Sequence, residues 1–245
     1  MSRLILLGTI HRDPQGEEAL LRTIGELRPE LITVEVSPYA LRFRKRHAPR
    51  LLRENLPLQV AEFILPPYEY RAAKAYGLRC RVPVIPVDSC LKSRVLLRRA
   101  VELFSAENLR RLKEEDLKGL LRREYALARR CWQDGFMAQW FLSNGWDLRR
   151  ERAMARRIRQ ILSRHPTKRL LHVGGWMHML PLPGTLFHLL EDLGPERRLL
   201  EVRGKDIGTS FEVEGEGEKF RIDLFHQGLQ KHHWELEDVA AQKPP

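Results

Sequence analysis

The chain has 245 residues, 43% of them hydrophobic and 31% charged, with a formal net charge of +11. That length can bury a sizeable core in one large domain or two small ones, and no apolar run approaches the length of a membrane-spanning helix. Cys80, Cys90 and Cys131 have neither the number nor the spacing of a disulfide framework or a zinc signature, and basic residues spread over several predicted helices weigh against nucleic acid as the main partner.

The first eleven residues set the pattern. Leu4-Ile5-Leu6-Leu7 is a short apolar run that ends in Gly8-Thr9-Ile10-His11. Such a run bounded by glycine predicts a buried strand, with the histidine at its carboxyl end. No charged segment, apolar core and cleavage site precede it, so the expected location is the cytoplasm. Asp13-Pro14 predicts a helix start with Asp13 as N-cap. Leu20, Leu21, Ile24 and Leu27 form the buried stripe of that helix, and Arg28-Pro29 ends it. Leu31-Ile32-Thr33-Val34 is a second strand ending at Glu35. Strand, helix, strand predicts two parallel neighbours, with His11 and Glu35 on one rim of the sheet.

A basic helical stretch follows Pro38-Tyr39 and carries Arg42, Arg44, Lys45, Arg46 and Arg50. Residues 51–65 read as helix or irregular structure. Tyr68 to Tyr76 forms a helix containing Glu69 and Arg71, stopped at Gly77. Val82 to Val87 is a third strand with Asp88 at its end; its prolines make a central position less comfortable. Residues 91–131 read as mainly helical, with Ser105 as a cap and Lys113-Glu114-Glu115-Asp116 as a solvated face. Asn144-Gly145 marks a turn. The helix from about 147 to 163 turns Met154, Ile158, Ile161 and Leu162 inward, with Arg149, Arg150, Arg152, Arg156, Arg157 and Glu151 on its other face.

The opening pattern then returns. Arg169-Leu170-Leu171-His172-Val173-Gly174 runs into Gly175-Trp176-Met177-His178, again a strand followed by Gly-x-x-His. His172, inside the strand, reads as a core residue. A short helix over 185–193, a strand over 199–202, and a hairpin from 211–213 and 220–224 complete the elements. His226, His232 and His233 read as surface residues, and the extreme end as frayed. The whole reads as one α/β domain over 1–245: a predominantly parallel central sheet flanked by helices, with 199–245 a strand and antiparallel hairpin extension.

His11, Glu35, Asp88 and His178 each follow a strand-like run. On one parallel sheet all four reach the same rim. Two imidazoles with one or two carboxylates are a ligand set for a catalytic divalent metal with an open position, which lowers the pKa of bound water and polarises a carbonyl. Without a metal, the same groups supply a histidine base, a glutamate that orients it and an arginine for an oxyanion. No nucleophile elbow, phosphate-binding loop or dinucleotide fingerprint is present.

These residues carry a family resemblance. Gly8-Thr9-Ile10-His11, Arg28-Pro29-Glu30, Thr33-Val34-Glu35, the Glu69-Tyr70-Arg71-Ala72-Ala73 helix before Val84-Ile85-Pro86-Val87-Asp88, Glu151-Arg152 with Met154-Ala155, and Gly175-Trp176-Met177-His178 stand in one order over roughly residues 4–180. The chain resembles the TraB/PrgY group, in the superfamily of the Tiki proteases, ChaN-like proteins and erythromycin esterases. It departs from the pattern at Ala153, where an aspartate is common, and it lacks the hydrophobic C-terminal segments of many TraB members. The resemblance implies pseudo-symmetric halves with a site between them. By the Tiki branch, it implies a metal-dependent peptidase or amidase with His11, His178 and Glu35 as metal ligands and catalytic residues, the metal being Mn, Co or Zn. By the esterase branch, it implies comparable His and Glu residues that activate water without an evident metal. By the pheromone-shutdown relatives, it implies a binding or regulatory protein without turnover. Glu69, Asp88, Arg42 and Arg152 are assigned to the substrate-binding surround, for a small-molecule or peptide substrate, and a homo-oligomer is compatible with this reading.

Overall fold

The computed structural model describes residues 3–11, 13–51, 65–91, 93–94, 97, 117–133, 147–202, 210–215 and 218–223. The readings made for Ser105, the Lys113–Asp116 patch, the Asn144-Gly145 turn, His226, His232 and His233, and most of 51–65, lie outside these residues. The chain divides into two compact units, Met1–Arg203 and Gly204–Pro245. In the first, the elements are β1 (Leu4–Thr9), α1 (Gly16–Leu27), β2 (Leu31–Val34), α2 (Pro38–Leu51), α3 (Tyr68–Cys80), β3 (Val84–Pro86), α4 (Leu117–Gln133), α5 (Leu148–Arg164), β4 (Leu170–Gly175), α6 (Leu186–Leu189) and β5 (Glu196–Leu199). A 3₁₀ turn over Trp176–Met179 follows β4 directly. The second unit contains β6 (Ser210–Gly215) and β7 (Glu218–Asp223), an antiparallel hairpin.

The five strands of the first unit form one parallel sheet in the order β3-β2-β4-β1-β5. The expected fold class is therefore present: a parallel sheet with flanking helices, and a separate hairpin. The expected adjacency of β1 and β2 is not. They are parallel, but β4 lies between them, paired to β1 from Leu4↔Leu170 to Thr9↔Gly175 and to β2 from Leu31↔Leu170 to Val34↔Val173. Strand order in a parallel sheet is set by long-range packing, and β4 is buried along its whole length, as a central parallel strand must be. The insertion places the loop that carries His178 beside both the His11 and the Glu35 loops.

Alternation along the strands divides the core into two layers. Ile5, Leu7, Ile32, Val34, Leu171 and Val173 face Leu20 and Ile24 of α1 and Ala72, Ala73 and Tyr76 of α3. Leu4, Leu6, Leu31 and Leu170 face Met154, Ile158 and Leu162 of α5. A third cluster joins Ile10 and Trp176 to Ala128 and Cys131 of α4.

Three local readings change. Asp13 does not cap α1: its Oδ1 accepts from the Gln15 N–H at 2.9 Å and its backbone carbonyl from Gly16 at 3.0 Å, a turn just ahead of the helix. The strand placed at 199–202 lies at Glu196–Leu199. The apolar pattern misled there because this is an edge strand, where charged residues such as Arg197 and Arg198 are tolerated. The third strand shortens to Val84–Pro86 and occupies the opposite edge, where its prolines leave no internal ladder unpaired.

Candidate functional site

His11, Glu35, Asp88 and His178 follow the carboxyl ends of β1, β2, β3 and β4 respectively. The structure sorts them into two hydrogen-bonded groups that meet at Gly174-Gly175.

The first group is built on His11. Its side chain is 53% exposed, and its Nδ1 lies 2.7 Å from Oε1 of Glu69, whose side chain is only 4% exposed. Glu69 sits in the first turn of α3, where the helix dipole favours a negative charge. The Thr9 hydroxyl lies 3.0 Å from the same Glu69 oxygen and 3.1 Å from the Gly174 carbonyl. A carboxylate on Nδ1 fixes the tautomer and leaves Nε2 as the basic nitrogen. Nε2 makes no hydrogen bond among the described residues. Partial burial opposes protonation of His11, but Glu69, with help from Glu35, raises its pKa above the ordinary histidine value.

The second group is buried. Both ring nitrogens of His178 lie within ion-pair distance of a carboxylate, Nε2 2.9 Å from Glu35 Oε1 and Nδ1 2.7 Å from Glu151 Oε1. Arg150 donates to Glu35 Oε1 and makes a two-pronged contact with Asp88, Nε to Oδ1 at 2.7 Å and Nη2 to Oδ2 at 2.9 Å. Its Nη1 lies 3.4 Å from His178 Nε2. Glu35 Oε2 accepts from the Gly175 N–H at 2.7 Å. The charges follow from this packing. Burial opposes the imidazolium, yet Glu35 and Glu151 push the His178 pKa up to about 9. Burial alone would raise the Glu35 pKa, but His178 and Arg150 hold it well below the usual carboxylate range. Burial likewise opposes charge on Arg150, and Glu35 and Asp88 more than restore it.

Glycine is required where the groups meet. A Cβ on Gly174 would stand 2.7 Å from Glu35 Oε2 and 3.1 Å from His172 Nε2, and one on Gly175 would stand 2.7 Å from His11 Nε2. His172 is fully buried, as expected of a core residue, with Nδ1 3.0 Å from the Thr33 hydroxyl. Burial lowers its pKa to about 3, so the ring is neutral.

Glu69 and Asp88 thus join the site directly, each gripping a named partner. Arg42 and Arg152 are exposed on α2 and α5, as is Arg156, and none bonds to the cluster. Residue reading placed Arg150 and Glu151 on the outer face of α5, although they are the pair that hold Asp88, Glu35 and His178. Spacing carried the signal: Arg150, Met154 and Ile158 stand at i, i+4, i+8, and Glu151, Ala155 and Ile158 share the same buried stripe.

The donor set does not suit a divalent metal held by His11, His178 and Glu35. A metal-binding imidazole must offer a bare nitrogen, and both nitrogens of His178 face carboxylates that favour the imidazolium. The Arg150 guanidinium stands where a cation would neutralise Glu35 and Asp88 together. Among the described residues, no three His, Cys, Asp or Glu side chains form a metal-holding group. No helix among them is long and apolar enough to cross a membrane. No family model matches the chain, and no match was found among curated proteins or solved structures.

Proposed function

We propose that the chain is a hydrolase that activates water with a histidine and glutamate pair, without a metal, on a small ester, amide or peptide substrate. The observation that carries this reading is the contact between half-exposed His11 and buried Glu69, 2.7 Å from Nδ1 to Oε1. His11 Nε2 takes a proton from water as the water oxygen adds to the substrate carbonyl carbon, and Glu69 stabilises the imidazolium that forms. The proton then passes from Nε2 to the leaving oxygen or nitrogen as the carbonyl reforms, giving a carboxylic acid and an alcohol or amine. Arg150 holds the Asp88 and Glu35 carboxylates in place at the rim. His178, lying between Glu35 and Glu151, keeps Glu35 ionised. Within the superfamily the chain resembles, the esterase branch is the one that supports this chemistry.

The test is turnover by the purified chain on a panel of activated esters, lactones, amides and short peptides, with and without chelator, beside His11→Ala and Glu69→Gln. Chelator-resistant hydrolysis that His11→Ala abolishes is the expected result. Hydrolysis that tracks stoichiometric bound metal returns the site to the metal-dependent peptidase or amidase reading. Retention of a ligand without turnover across the panel returns it to the binding or regulatory reading.

A further inference from the structure

Two neighbouring residues of α4 reach the two histidine loops separately. The Tyr125 hydroxyl donates to Asp13 Oδ2 at 2.6 Å, two residues beyond His11. The Trp176 indole N–H donates to Glu124 Oε1 at 2.8 Å, two residues before His178. The apolar face of the helix repeats the arrangement, since Ala128 and Cys131 share one buried cluster with Ile10, next to His11, and with Trp176. The His11 loop is also tied to α3 through Glu69 and Tyr68, and the His178 turn to Glu35 and Glu151. Gly8 passes so near the Trp176 turn that a Cβ there would stand 2.9 Å from the Trp176 Cα, so the loops already touch at their bases, and α4 spans them further out.

We infer that α4 is a clasp that sets the position of the His11 loop relative to the His178 loop, with Tyr125 and Glu124 as positioning residues for the proposed hydrolysis. The physical case is one of geometry. Glu69 orients the His11 ring, and the Tyr68 hydroxyl on the Ile10 carbonyl holds the backbone just before it; the segment just after it is held through Asp13. The Asp13 side chain links that segment both to the Gln15 N–H and to Tyr125, so α4 fixes the exit of the loop while Glu69 fixes the ring. On the other side, Trp176 opens the 3₁₀ turn that carries His178, so its bond to Glu124 fixes the entry to that turn. A displacement of about 1 Å between reacting groups costs on the order of a hundredfold in rate, so a clasp of this kind matters to chemistry without touching substrate.

This inference rests on the hydrolase reading, and its test separates the two. Tyr125→Phe deletes one hydroxyl without changing shape, and Glu124→Gln keeps an acceptor for the indole N–H while removing charge; Glu124→Ala removes the acceptor. Two readouts are taken: kcat and KM on whichever substrate the wild type hydrolyses, and the side-chain imidazole NMR signals of His11 and His178 through a pH titration. Tyr125→Phe is expected to lower kcat about tenfold with KM changed less than twofold, and to move the His11 titration. Glu124→Ala is expected to move the His178 signals, with Glu124→Gln close to wild type. The double variant Tyr125→Phe/Glu124→Ala is expected to cost less than the product of the two single effects, because either break already loosens the clasp. Imidazole signals that stay at wild-type positions in all variants overturn the clasp while leaving the hydrolase reading standing. Imidazole signals that move in a chain without hydrolytic activity retain the clasp and overturn the hydrolase reading instead.

Discussion

Arg150 and Asp88 meet in parallel, Nε to Oδ1 and Nη2 to Oδ2, at 2.7 and 2.9 Å. The fork geometry is one that only arginine supplies. Because the same guanidinium also holds Glu35, it bridges two buried carboxylates. Arg150→Met is expected to strip Asp88 of its guanidinium partner and leave Glu35 with His178 and the Gly175 N–H, lowering unfolding free energy by about 3–5 kcal/mol, measured by urea unfolding at pH 7. Arg150→Lys keeps the charge but loses the fork, so it should recover only part of that loss.

A second prediction concerns metal. Wild-type protein purified from medium containing Mn, Co and Zn should carry no stoichiometric divalent metal by elemental analysis. Arg150→Ala removes the cation from between Glu35 and Asp88, and a chain that still folds should bind such ions more tightly than wild type. Stoichiometric metal in the wild type that is absent from the His11→Ala/His178→Ala double variant would sink the metal-free reading.

The dyad of His11 and Glu69 makes a prediction in pH. Glu69 raises the His11 pKa, and the base works when deprotonated. Glu69→Gln should therefore shift the acid limb of kcat/KM to lower pH while lowering the plateau, by roughly the hundredfold typical of acid–base assistance. An acid limb left in place would mean that another group sets it.

Stability should also depend on pH in a signed way. His178 binds its proton more tightly when folded, with a pKa of about 9 against about 6.5 when unfolded. Its contribution is fully present below about pH 6.5 and is lost as pH rises through 9. His172 runs the other way. Its folded pKa of about 3 means that its contribution is present above about pH 6.5 and declines as pH falls toward 3. Thermal unfolding of the wild type should weaken from pH 6.5 to 9.5, and His178→Gln should flatten that decline.

Gly175→Ala is a local test of where the two groups meet. Its Cβ would stand 2.7 Å from His11 Nε2, so the ring must swing away from Glu69 or the backbone must shift. Activity should fall by at least tenfold while unfolding free energy drops by only about 1–3 kcal/mol, the difference showing in paired assays of turnover and urea midpoint.

Much of this site was legible in the residues, for reasons that differ from group to group. β1 and β4 are apolar on both faces, so their hydrophobic runs stood out, and a histidine three residues past a glycine marked each exit. Glu35 and Asp88 were visible because an acid soon after an apolar strand-like run has few places to go except the rim. Arg150 and Glu151 were hidden among the many charged residues of α5, where charge suggested solvent more strongly than the i, i+4 spacing suggested burial. The partner of His11 was also out of reach. Glu69 lies 58 positions away, on a helix whose contact with the β1 loop depends on the packing of Tyr68, whose hydroxyl donates to the Ile10 carbonyl at 3.0 Å.

The place of β4 between β1 and β2 has a consequence for how the chain comes to be made. β1 and β2 leave the ribosome well before β4, and until residues 170–175 emerge β1 has no partner strand and β2 has only the short edge strand β3. Until then two of the most apolar segments of the protein carry open edges, and the sheet cannot close locally. Long-range parallel pairing of this kind folds slowly and is exposed to aggregation while it waits. Synthesis stopped ahead of β4 should therefore yield an insoluble N-terminal fragment, and chaperone demand during translation should fall sharply once β4 clears the exit tunnel.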